Sequence, residues 1–126
     1  MISLVFLILA AICNAVMDTS VHHYSSSKLK KLNPKFWNGE TSWKNKYVDG
    51  LPSKGRVKWC FNINKPVQLT DAFHFFKMLM ITFISLSIIT FEWFFITNTY
   101  WYDFIIMLGI YGIMWNIFFS FFYNKI

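Results

Sequence analysis

At 126 residues the chain has room for one domain, and 56% hydrophobic with 21% aromatic residues exceeds what a soluble domain of that size buries. Its net charge of +6 is localised: ten of the twelve Lys and Arg residues fall between Lys28 and Lys65, opposed there by Glu40 and Asp49 alone. Residues 2–17, 78–91 and 104–123 carry no Asp, Glu, Lys, Arg or His, which excludes an ordinary soluble domain.

The first apolar run, Ile2 to Met17, is short for a bilayer core of about 30 Å. It continues as a polar helical end through Asp18 and His22, so residues 2–24 are expected to form one helix holding the first span. No Lys or Arg precedes the run, as the basic start of a signal peptide would require, so an uncleaved span is expected. Cys13 in this run and Cys60 in the basic segment fall at different depths, which argues against a disulfide.

Residues 25–68 form the basic segment. Pro34, Pro52 and Pro66 exclude one continuous helix, and Asp49-Gly50 suits a tight turn. Short helical or extended pieces packed on the helix ends are expected. The second span covers residues 70–97, with Thr70 as N-cap and Asp71 in the first turn. Asn98 and Thr99 make a short turn, and residues 101–123 form the third span, so the last two spans are an antiparallel hairpin. Tyr100, Trp101, Tyr102 and Tyr123 stand where aromatic belts belong, and Asn14 and Asn116 are expected to hydrogen-bond neighbouring helices. The fold class is therefore an all-α membrane protein: one membrane domain of three transmembrane helices with a basic, aromatic-rich interfacial segment. The positive-inside rule puts that segment and Lys125 in the cytoplasm, for an inner-membrane protein of a bacterium.

Four residues at the ends of spans could carry chemistry. Asp18 and His22 are four apart and Asp71 and His74 three apart, so each pair shares a helix face. The segment between them starts and ends on one side of the membrane, so both pairs lie at the same interface. Two carboxylates and two imidazoles there would suit zinc, iron or manganese. A zinc-bound water, its pKa lowered to about 7, would attack an ester or phosphoester. Lys44 and Lys46 would then clamp the substrate phosphate. No CxxC or HExxH spacing supports a metal, and Asp71 also makes sense purely as a helix-start residue.

The stretch Trp43-Lys44-Asn45-Lys46-Tyr47 alternates rings with cations. Nucleic-acid binders use such alternation, but beside membrane spans it places rings at head-group level and lysines against anionic lipid. Two functions follow. One is a metal-dependent hydrolase acting on an anionic lipid or phosphorylated substrate. The other is a non-enzymatic membrane subunit or adaptor that binds anionic lipid, or a partner protein or second copy, through its basic segment.

Met17-Asp18 through His22-His23, Leu32-Asn33-Pro34-Lys35-Phe36-Trp37, Ser42-Trp43-Lys44-Asn45-Lys46-Tyr47 and Leu69-Thr70-Asp71-Ala72-Phe73-His74 together resemble a set of small, uncharacterised membrane proteins of bacteria and their phages. The likeness covers roughly residues 17–77; the second and third spans match only as apolar helices. It implies a membrane location and brings no activity. It does single out Asp18, His22, Trp43, Lys44, Asn45, Lys46, Asp71 and His74.

Overall fold

The computed structural model describes residues 2–54, 67–95 and 100–126. Three long helices dominate: α1 (Ile2–His22), α4 (Ala72–Phe95) and α5 (Trp101–Lys125). Between α1 and α4 lie two single-turn helices, α2 (Pro34–Trp37) and α3 (Gly39–Ser42), and a series of 3-10 turns. There is no strand among the described residues. Ile2–His22, Ala72–Phe91 and Ile105–Lys125 are each long and apolar enough to cross a membrane. The expected all-α architecture with three spans is what the chain adopts. The Asn98-Thr99 turn, Trp59 and Cys60 lie outside the described residues.

The chain folds as two compact units, Met1–Ala15 with Leu79–Lys125, and Val16–Met78 with Ile126. In the first, the three helices meet through small and hydroxyl side chains. Ala10, Ala11 and Ala15 are fully buried. Ser87 Oγ donates to the Ser3 carbonyl at 2.8 Å, and the Ser3 hydroxyl is hydrogen-bonded to that of Tyr111. Phe6 stacks on Phe83, and Phe91 meets Tyr111 edge-on. Side chains such as Ile81, Ile88, Ile105, Ile113 and Ile117 point outward and are more than half exposed, as hydrocarbon-facing groups should be. Asn116 bonds its own helix, at the Gly112 carbonyl, rather than another. That amide bond is therefore local, and Ser3, Ser87 and Tyr111 make hydrogen bonds between helices instead.

The second unit is built on the end of α1 and the start of α4. Asn33 caps α2 by accepting from the Lys35 N–H, with Pro34 at the position where its missing donor is harmless. Asn38 then ends α2 and caps α3 by accepting from the Glu40 N–H. This cap-on-cap arrangement turns the chain sharply enough to lay α3 on α1. A Cβ on Gly39 would stand 2.7 Å from the Ser20 carbonyl oxygen and 2.8 Å from Val21 Cα, so only glycine fits. On the other side Phe36 and Trp37 pack on Phe75 and Phe76 of α4. The expected Asp49-Gly50 turn is present, both residues having positive φ (59° and 68°), with the Gly50 N–H donating to the Tyr47 carbonyl.

Candidate functional site

The start of α4 differs by one residue from the sequence expectation. Asp71, not Thr70, is the N-cap: its carbonyl accepts from the Phe75 N–H and its Oδ1 accepts from the His74 N–H at 3.0 Å. Oδ2 faces His74 Nδ1 at 2.8 Å. Asp71 wins the cap because its carboxylate can serve the backbone and the imidazole at once, which a hydroxyl cannot. Thr70 supports it from behind, its Oγ1 standing 2.7 Å from the Val67 carbonyl and 3.1 Å from Asp71 Oδ2. The Asp71 side chain is fully buried, while that of His74 is 23% exposed. The ring is thus held by one nitrogen, with the other turned away from the carboxylate.

Of the four residues considered as metal ligands, the structure pairs Asp71 with His74. Asp18 is half-buried and His22 exposed at the end of α1. All four are described, yet among the described residues no three His, Cys, Asp or Glu side chains gather as a metal would require. Both oxygens of Asp71 already accept hydrogen bonds, so the carboxylate is spent on the helix start.

Lys44 and Lys46 are placed by the 3-10 turn Trp43–Lys46. Asn45, between them, points inward: its Nδ2 donates to the Lys35 carbonyl and, at 3.1 Å, to the Thr70 carbonyl. That one amide ties α2 to the residue before the Asp71 cap. With three residues per turn, the flanking lysines are turned away from Asn45, Lys44 exposed and Lys46 half-buried. Each ammonium lies 5.9 Å from the centre of the Trp43 ring, and that of Lys46 also lies 5.3 Å from the Tyr47 ring. Trp43 is 38% exposed, meets Tyr47 edge-on and is fixed by donation from its indole N–H to the Glu40 carbonyl at 3.0 Å. The result is a rigid exposed ring carrying two cations.

Sequence reasoning missed Gly39 and the inward role of Asn45, neither of which leaves a spacing signature. Lys77, three residues after His74, is near enough to the interface for its side chain to reach head-group depth. Its ammonium lies 5.7 Å from the Phe73 ring, which in turn meets His74 edge-on. No family model, curated protein or solved structure matches the chain.

Proposed function

We propose that this integral membrane protein is a non-enzymatic subunit that holds anionic lipid head groups at the cytoplasmic face of a bacterial inner membrane. The observation that supports it is the Trp43 ring, exposed, fixed and flanked by Lys44 and Lys46. Neither lysine pairs with a carboxylate among the described residues, so both charges are available to phosphate. Cation–π contacts of about 0.5–1 kcal/mol keep the ammonium groups near the ring without neutralising them. A lysine near an anionic surface contributes about 1 kcal/mol.

The test is the association of spin-labelled phosphatidylglycerol, relative to phosphatidylcholine, with the reconstituted protein. Lys44→Gln with Lys46→Gln should weaken the phosphatidylglycerol preference by up to about 30-fold, the equivalent of ~2 kcal/mol. Raising the salt should weaken the wild-type preference in the same direction. An unchanged preference in the double variant defeats the reading. Turnover of a lipid ester that depends on the same lysines would favour the hydrolase alternative.

A further inference from the structure

His74 and Lys77 lie on the part of α4 that the interfacial helices leave open. Phe75 and Phe76 turn to Phe36 and Trp37, and Ala72 is 1% exposed. At 100° per residue, Phe73, His74 and Lys77 fall on the opposite side of the helix. Lys77 and Met78 there are exposed. All of them belong to the first two turns of a membrane span, which is head-group depth.

The chemistry of this face is directional. Asp71 Oδ2 accepts from the Nδ1–H of His74 in the tautomer that joins them, which leaves the lone pair on Nε2. Nε2 makes no hydrogen bond among the described residues, and Lys77 makes no ion pair there. The helix thus offers a cation and, one turn away on the same side, a hydrogen-bond acceptor backed by a buried carboxylate. Side chains three apart stand about 5–6 Å apart at Cβ. A ligand that matches must carry a negative group beside a positive group with N–H to donate.

We propose that Lys77 and His74 bind a phospholipid of the phosphatidylethanolamine type. The phosphate meets the Lys77 ammonium and the primary ammonium donates to His74 Nε2. Charges then alternate from Lys77 through phosphate to ammonium, and the neutral imidazole links that ammonium to Asp71. A choline head group has the same net charge but no N–H, so it satisfies Lys77 and leaves Nε2 unpaired. Asp71 is a positioning residue in this site. This proposal is independent of the Trp43 cluster, which responds to net negative charge.

The experiment is native mass spectrometry of the full chain, with phosphatidylethanolamine and phosphatidylcholine of identical acyl chains competing for retention. The ethanolamine lipid should be retained about tenfold more, as one charge-assisted hydrogen bond would give. Mono- and dimethylation of its nitrogen should keep most of that preference, and the third methyl should abolish it. Asp71→Asn should also abolish it with the fold intact. Its oxygen must stay on the His74 N–H as the cap, so its NH2 faces Nδ1 and the imidazole proton moves to Nε2, turning the acceptor into a donor. Lys77→Gln should lower retention of both lipids and leave their ratio alone. Equal retention of the two lipids by the wild type overturns the proposal. A preference that fades evenly with each methyl, or that survives Asp71→Asn, overturns it as well.

Discussion

Asp71 does three things with one side chain: it starts α4, fixes the tautomer of His74 and takes the place beside Thr70 in the interior of the interfacial unit. Replacing it with alanine removes the cap, worth about 1 kcal/mol, and also strands the His74 N–H and Nδ1. A loss of about 2–3 kcal/mol in unfolding free energy is expected for Asp71→Ala, against less than about 1 for Asp71→Asn, since Asn caps a helix as well as Asp does. Unfolding curves in detergent would show the ranking. Nitrogen-15 spectra of the histidines give a second check. His74 should carry its proton on Nδ1 in the wild type and on Nε2 in Asp71→Asn. The sequence showed that Asp71 and His74 share a face, because a spacing of three is enough for that. It could not show whether a third ligand joins them, and among the described residues none does. Convergence of two helix ends depends on what packs between, and here the elements between are α2 and α3, whose caps are a matter of asparagine geometry rather than periodicity.

The long helices were legible because absence of charge over a whole span has one physical meaning, and α1, α4 and α5 fall where the uncharged runs do. How they hold one another was not legible. Without a hydrophobic force between helices in lipid, contact is decided by small residues and hydroxyls, and isolated Ser3 and Ser87 do not stand out among their apolar neighbours. Ser87→Ala and Tyr111→Phe should each cost about 0.6 kcal/mol, the usual size of a hydrogen bond between helices in a membrane. A thermal melt of the detergent-solubilised protein would register them, and the pair should depart from simple addition because both bonds end on Ser3. Gly39 is the sharper case. Alanine there drives a methyl against the Ser20 carbonyl and the Val21 backbone, neither of which is the flexible end of a side chain. A loss of about 1–3 kcal/mol is expected for Gly39→Ala. It should come with increased proteolysis at residues 34–54, because α3 lifts from the end of α1 while the spans persist.

For the molecule as a whole, the two units divide labour by solvent. The one that contains Leu79–Lys125 turns mainly apolar side chains outward, and the one that contains Val16–Met78 holds the caps, the Asp71–His74 pair and the Trp43 turn. Composition alone indicated that division, since polar and apolar residues hardly mix along the chain. The Asn45 amide adds something that composition does not carry. It joins a carbonyl on α2 to one just before α4, two points 35 residues apart in the sequence (70 less 35). On a ribosome, then, α2 and α3 can settle on α1 as soon as residues 20–42 emerge, yet Phe36 and Trp37 have nothing to cover them until Phe75 and Phe76 follow. A nascent chain stalled before Thr70 displays two bare aromatic rings at the membrane surface, and completing the clip hides them.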